Sequence, residues 1–193
     1  MNYTDSCVLS PKKKSDIGVI NINKHLQKYY NGNGDKINDK RIIKFGDKVM
    51  QTKNDKRKGV YNGSILKVRD LIPYKNGNAA TVRCEYYPNE NVMSNGGLIC
   101  YKMNELDTLD LAYSFTVHKS QGKGYDNVII IIHSSMNITY KMLNKNLFYT
   151  AVTRAKKRCI IIGDKKGLDL CKQEVDERIT GLYTDWIVTV PEG

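Results

Sequence analysis

The sequence predicts an α/β protein built on a parallel sheet and interrupted by a small β-rich insertion. Three observations carry that expectation. Apolar runs at 111–116, 128–132 and 159–162 are short and continuous, the last two rich in isoleucine, as strands covered on both faces require. A helical repeat lies between the second and third runs: Leu143, Leu147 and Ala151 fall at i, i+4 and i+8, with Phe148 and Val152 beside them. Between 59 and 107 the texture changes to short runs broken by Asn62-Gly63, Asn76-Gly77-Asn78, Pro88-Asn89 and Asn95-Gly96-Gly97, the pattern of a small barrel or meander.

Taken in order, residues 7–10 read as a strand stopped by Pro11, followed by the basic loop Lys12-Lys13-Lys14. Ser15 or Asp16 is positioned to cap a helix whose apolar stripe is Ile17, Val19 or Ile20, and Leu26, ending near Tyr29-Tyr30. Residues 31–35 are turn formers and must be a loop. A turn at Gly46-Asp47 feeds a strand to Gln51, and 53–58 is a polar basic loop. Inside the insertion, strands are expected at 64–72, 79–87 and 98–103. Beyond it come a strand at 111–116, a buried parallel strand at 128–132, a helix over 139–155, a buried strand at 159–162 and a short helix at 167–172. Residues 1–58 and 108–193 therefore read as one discontinuous domain of βα units, with 59–107 inserted.

The chain has 193 residues, enough for such a domain with an insertion. Its charge is unbalanced: 31 Lys+Arg against 20 Asp+Glu give +11, and the pI is about 9.3. Most of the excess lies in residues 1–60, with 14 Lys+Arg against 6 Asp+Glu. Such a balance points to a polyanionic partner, nucleic acid first. Five cysteines, an odd number without a C-x-x-C pair, argue against zinc and against a disulfide framework, so no metal site is expected. Reduced thiols fit a cytoplasmic protein. The apolar runs are strand-length, which leaves no membrane span, and the polar residues 1–5 do not read as a signal peptide.

Two segments carry chemistry. Thr116-Val117-His118-Lys119-Ser120-Gln121-Gly122 follows a strand, and the carboxyl end of a parallel strand opens into the crevice where α/β sheets bind ligands. The hydroxyls of Thr116 and Ser120 can meet phosphate oxygens, Lys119 adds charge, and Gly122 lets a backbone approach a ligand closely. The same residues also suit a strand-to-helix turn with Ser-Gln as its cap. The second segment, Tyr149-Thr150-Ala151-Val152-Thr153-Arg154-Ala155-Lys156, ends in a basic cluster running to Arg158. Cations at a helix end complement its dipole and bond its last carbonyls. Arg154 is alternatively placed to act as an arginine finger on a phosphoryl-transfer transition state.

Together the two segments resemble motifs V and VI of superfamily 1 helicases, in order, strand context and spacing, and the wording of the first is typical of the RecD-like branch. Val8-Leu9-Ser10-Pro11 through Asn23 and Leu26-Gln27 resembles the opening of that branch's second RecA-like domain. Residues 45–51 and Gly59-Val60-Tyr61-Asn62-Gly63 resemble its next markers, the 59–107 stretch falls where the family inserts an SH3-like subdomain, and Thr180-Gly181-Leu182 resembles its C-terminal end. The resemblance implies a 5′-to-3′ DNA helicase of repair, recombination or conjugation. Arg154 would reach the γ-phosphate, with Gln121, Gly122, Lys123 and Lys13 near the nucleotide. Thr116, His118, Lys119, Ser120 and Asn62 would lie on the single-stranded DNA track.

Two departures stand out. Lys123-Gly124-Tyr125 occupies the place of the family's Ser-Glu-Phe or Ser-Glu-Tyr, and Pro11-Lys12-Lys13-Lys14 that of Pro-Met-Arg-Lys, so a point charge replaces a bidentate guanidinium. The sequence also lacks G-x-x-x-x-G-K-[ST], and no apolar strand ends in an Asp-Glu pair; Asp176-Glu177 follows a polar stretch. The expectation is therefore the C-terminal part of a longer helicase. ATP and Mg²⁺ would be held jointly with an N-terminal RecA-like domain, other helicase–nuclease subunits are possible partners, and the chain alone would be inactive. The competing reading is a non-catalytic single-stranded nucleic-acid-binding module.

Overall fold

The computed structural model describes residues 6–37, 42–72, 80–87, 97–136 and 143–172. Nine strands in this part divide into two sheets. Strand β1 (Ser6–Ser10) lies in a parallel sheet with β7 (Ser114–Thr116), β8 (Tyr125–Ile132) and β9 (Ala155–Gly163), in the order β7-β1-β8-β9. Cys7 pairs with Val128 and Leu9 with both Phe115 and Ile130. Helices α1 (Val19–Asn31), α2 (Lys145–Val152) and α3 (Lys165–Cys171) flank this sheet. Its core joins Leu9, Phe115, Val117, Val128, Ile130 and Ile132 to Leu143, Ala151 and Cys171.

The second sheet is antiparallel. It contains β2 (Lys48–Gln51), β3 (Ile65–Ile72), β4 (Thr81–Tyr86), β5 (Ile99–Lys102) and β6 (Leu109–Leu111), in the order β5-β4-β3-β2-β6. The inserted strands pair among themselves as expected, and none enters the parallel sheet. The sheet nevertheless reaches past both ends of the 59–107 segment. β2 pairs with β3 on one side and β6 on the other, so residues assigned to the flanking domain complete the sheet. A separate core of Val49, Leu66, Val68, Val82, Ile99, Tyr101 and Leu106 fills it.

The expected single strand at 111–116 is two strands in two sheets. Leu111 pairs with Val49 and Ser114 with Val8, and the chain crosses over at the buried Ala112 and Tyr113. An unbroken apolar run cannot reveal such a switch, because both halves are equally buried. Helix α1 begins after Gly18, without a side-chain cap, rather than at Ser15 or Asp16. Its buried residues are Asn23 and Gln27, not the expected aliphatic stripe. Asn23 donates to the carbonyls of Leu111 and Ser114 (3.0 and 3.3 Å) and accepts from the Ser114 amide (2.7 Å), so one amide side chain ties α1 to the crossover.

One turn on, the helix meets a buried carboxylate. Asp47 accepts from Gln27 Nε2 (2.5 Å), Asn31 Nδ2 (2.6 Å), the Lys44 amide (2.7 Å) and the Tyr113 hydroxyl (2.9 Å). The Tyr113 ring is stacked on Tyr30 at 6.1 Å. The hub joins α1, the turn before β2 and the crossover between the sheets.

Helix α2 spans only Lys145–Val152, with the Asn144 side chain accepting from the Leu147 amide as its cap. Of the longer helix expected over 139–155, residues 139–142 lie outside the described ones. At the other end Thr153 closes the helix and Ala155 already belongs to β9. Lys156, Lys157 and Arg158 therefore sit on a strand, where no helix dipole acts on them. β9 itself is not the buried strand expected: Ile161 and Ile162 are 42% and 54% exposed, and among the described residues β9 is the last strand on its side of the parallel sheet. Thr180-Gly181-Leu182 and the turns at 76–78, 88–89 and 95–96 lie outside the described residues.

All five cysteines are free. Burial pushes the Cys7 and Cys84 thiols up to about 12 and Cys171 up to about 11, which keeps them protonated and unreactive. No described helix is long and apolar enough to cross a membrane.

Candidate nucleotide and nucleic-acid interface

Thr116 lies at the carboxyl edge of the parallel sheet and Arg154 at its amino edge, just before β9, with the 117–124 loop running between the two edges. β7 ends at Thr116, and a 3₁₀ turn over His118–Ser120 follows at once. Val117 is buried and anchors the turn, while His118, Lys119, Gln121 and Gly122 are exposed. The Lys119 amide faces the Thr116 hydroxyl at 3.4 Å. Ser120 departs from expectation. It is fully buried and its hydroxyl donates to the Val117 carbonyl (2.6 Å), so it holds the turn together and cannot reach a DNA strand. Gly122 has φ +78°, a conformation that side-chain-bearing residues seldom adopt, and no atom stands within 4 Å of where its Cβ would be. That peptide is open to a ligand.

The turn separates two hollows. On one side, Thr116 and Lys119 line a cavity of about 260 Å³ together with Lys13 and the apolar side chains of Val19, Ile20, Met50 and Phe115. Lys13 thus joins the residues expected on the DNA track rather than those expected at the nucleotide. Asp110 stands between the two lysines, 3.5 Å from Lys119 and 3.9 Å from Lys13, and was not singled out from sequence. All three groups are substantially exposed, so these pairs are weak and open to competition by an external anion. On the other side, His118 and Gln121 line a more open cleft of about 420 Å³ with Asn144, Asn146 and Thr150 at the start of α2. The two asparagines carried no signal beyond their place ahead of the helical repeat.

Arg154 follows the end of α2 and is half-buried. Its guanidinium donates from Nε to the Thr150 carbonyl (3.1 Å), from Nη1 to the Lys123 carbonyl (3.3 Å) and from Nη2 to the Thr153 hydroxyl (3.2 Å). The Tyr125 amide donates back to the Arg154 carbonyl (2.8 Å). Arg154 thus ties the second motif segment to Lys123 and Tyr125, which directly follow the first, some 30 residues earlier in sequence. Lys123 turns away from the cleft and donates to the Gly63 carbonyl (2.8 Å). Asn62 lies in that same exposed turn, its amide bonded to Asn54 Oδ1 (2.8 Å), so it is apart from the 116–122 loop and linked to it through Lys123.

At the carboxyl edge of the same sheet, Asp164 caps α3 by accepting from the Gly167 amide (2.9 Å). It also accepts from the Ser134 amide (2.9 Å) and the Ser134 hydroxyl. The Ser134 hydroxyl bond, aided by both amides, holds its carboxyl down at about 2 against an ordinary value of 3.8. A depressed carboxylate stabilises the fold above its unfolded value, and that contribution is lost as pH falls toward the folded value. Amide protection of Ser134 and Gly167 is therefore expected to fall between about pH 4 and pH 2, and Asp164→Ala to lack that step. Hydrogen exchange followed across this range checks it, and protection that persists unchanged to pH 2 would contradict it.

Comparison with known proteins bears on this geometry. Residues 111–162, which hold both motif segments, match the UvrD-like helicase C-terminal domain. The chain is similar to the ATP-dependent RecD2 DNA helicase of Deinococcus radiodurans, 32% identical over 157 residues that make up 81% of this chain and 20% of that protein. It is 24% identical over 182 residues to the RecBCD enzyme subunit RecD of Haemophilus influenzae, across 90% of this chain and 24% of the subunit. The chain thus spans a quarter or less of the length of these relatives. Among solved structures it resembles a Pif1 helicase from a study of two coordinating Pif1 helicases at forked double-stranded DNA. The TM-score is 0.55 at 21% identity, covering 89% of this chain and 42% of the other. It also resembles the Pif1 helicase of Candida albicans, with a TM-score of 0.53 at 14% identity, covering 93% and 49%. At these identities the likeness is one of fold: a parallel sheet with flanking helices, as in a helicase second domain.

Proposed function

We propose that this chain, which belongs to the RecD-like branch of the superfamily 1 helicases, forms the second motor domain of an ATP-dependent 5′-to-3′ DNA helicase. The observation that carries the reading is the bonding of Arg154, in the second motif segment, to Lys123 and Tyr125 directly after the first, whose Gly122 peptide is open and whose His118 and Lys119 are exposed. Arg154 is the arginine finger, Gln121 and Gly122 face the nucleotide, and Thr116, His118, Lys119 and Asn62 face the DNA backbone. The antiparallel sheet corresponds to the family's SH3-like subdomain. Recombination, repair or conjugation is the setting.

The residues present fit one wall of an ATP site. Gly122 offers an unobstructed peptide, and Arg154 a guanidinium whose bonds to its own domain can be exchanged for phosphate oxygens. Mg²⁺ would rest on the phosphates and on the other wall, where a phosphate-binding loop supplies its hydroxyl. ATP supplies the phosphoryl group and Mg²⁺ neutralises its charge. Everything else this chain does is positional: α2 and the 153–154 turn aim Arg154, and β7 and Val117 hold the DNA-facing loop. An N-terminal RecA-like domain with a phosphate-binding loop is the required partner, and other helicase–nuclease subunits are further ones.

On the DNA side, the expected binding is weak, tolerant of sequence and dependent on salt, because lysine–phosphate contacts release counterions. Lys119→Ala is expected to flatten the log–log salt slope for an oligothymidylate by roughly 0.7, the single-strand value for one contact. Fluorescence anisotropy across a salt series measures this. An identical slope removes Lys119 from the track. A motor that binds single strands but has no use for Arg154 would be the non-catalytic module instead.

A further inference from the structure

We propose that Lys123 is a positioning residue that couples the Asn62–Gly63 turn of the antiparallel sheet to Arg154, an inference that rests on the helicase reading above. Lys123 bonds in three directions at once. Its amide donates to the Ser120 carbonyl (3.2 Å), which fixes it to the 3₁₀ turn. Its carbonyl accepts from Arg154 Nη1 (3.3 Å). Its ammonium crosses 60 residues of sequence to donate to the Gly63 carbonyl (2.8 Å). The small hydroxyl side chain that the family pattern places here could not span that gap, so the bridge belongs to this sequence.

The far end of the bridge is anchored too. Gly63 has φ +94°, and its amide donates to the Gln51 carbonyl (2.8 Å), so its peptides are gripped from both the antiparallel sheet and Lys123. Gln51 is buried and accepts from the Tyr101 hydroxyl (2.9 Å). The turn is therefore tied to that sheet. Its outer surface presents Tyr61, 53% exposed, and Asn62, and the Asn62–Asn54 bond and the Asp55–Val60 pairing join it to the loop that carries the exposed Lys53, Lys56 and Arg57. An exposed ring on a turn joined to a basic loop suits stacking on a base with its phosphates held alongside.

At the near end, Arg154 spends three donors on its own domain, one of them on Lys123. When the guanidinium leaves for a phosphate, the Lys123 carbonyl gives up that bond. A single strand held on the 53–63 turn fixes Gly63 and, through the ammonium, fixes the 123 peptide. Strand occupancy and finger position thus act on the same residue from opposite sides.

The test has two arms. In the chain itself, Lys123→Met is expected to shift the Arg154 Nε–H resonance and to speed exchange of the Gly63 amide, while Lys123→Arg keeps both near wild type. In the complete motor protein, Lys123→Met is expected to lower the ratio of oligothymidylate-stimulated to unstimulated ATP turnover about tenfold, with Lys123→Arg restoring it. A merely structural role would lower both rates together and leave the ratio alone. An unchanged ratio, or an Arg154 resonance indifferent to Lys123→Met, overturns the coupling. Failure of the finger reading looks different: Arg154→Ala would then leave turnover intact, whereas failure of the coupling alone leaves Arg154→Ala inactive and the Lys123→Met ratio unchanged.

Discussion

Replacing Arg154 with alanine in the complete motor protein is expected to lower kcat by roughly 10³–10⁵, the range over which an arginine finger acts on phosphoryl transfer. The size follows from the proposed finger role: a fork of donors that meets charge developing only in the transition state is felt in kcat more than in KM. Arg154→Lys should recover little, because an ammonium supplies a point charge without the planar fork. The competing role is visible in the same side chain: Nε donates to the Thr150 carbonyl, as a helix-end cap would. A cap contributes to stability, not to the chemical step. An Arg154→Ala protein with unchanged kcat and a lowered unfolding midpoint would leave only the cap.

The second large effect concerns folding. Asp47→Ala is expected to destabilise the chain by about 3–5 kcal/mol, because it removes the shared acceptor of two buried donors and two half-buried ones. Gln27 and Tyr113 are the buried pair, and Asn31 and the Lys44 amide the half-buried one. Single domains have only about 5–15 kcal/mol of net stability, so a loss of this size would be plain in a urea titration. Asp47→Asn should fall between, since its oxygen still accepts but its amino group faces other donors. A loss below about 1 kcal/mol for Asp47→Ala would mean that the hub does not hold the two sheets together.

What the sequence made legible, and what it hid, follows from how each residue acts. The parallel strands were readable because β1, β8 and the start of β7 bury continuous apolar runs. The inserted strands were readable because turn formers punctuate them. The division at 59–107 failed at its edges because β2 and β6 pair with the insertion through backbone groups, which leave no mark on side-chain pattern. α1 was misread in a recoverable way. Asn23, Gln27 and Asn31 recur every four residues, which puts three amides on one helix face, and a stripe counted on aliphatic residues passes over them. The site divides similarly. Thr116, His118, Lys119, Gln121, Gly122 and Arg154 were found by motif; they run from the end of β7 to the start of β9. Ser120 was misassigned because a hydroxyl in a loop reads the same whether it faces a phosphate or its own backbone. Asp110 and the Lys123–Gly63 bond were invisible, since each depends on residues brought together only by the fold.

The central claim is that this chain forms one wall of a shared nucleotide site and works only against a second. ATP turnover by the purified 193-residue chain, with and without single-stranded DNA, tests it most directly. The expected result is no hydrolysis above buffer in either condition, with DNA-stimulated turnover emerging only when the chain is joined to a half that carries a phosphate-binding loop. Robust, DNA-stimulated hydrolysis by the chain alone would contradict it.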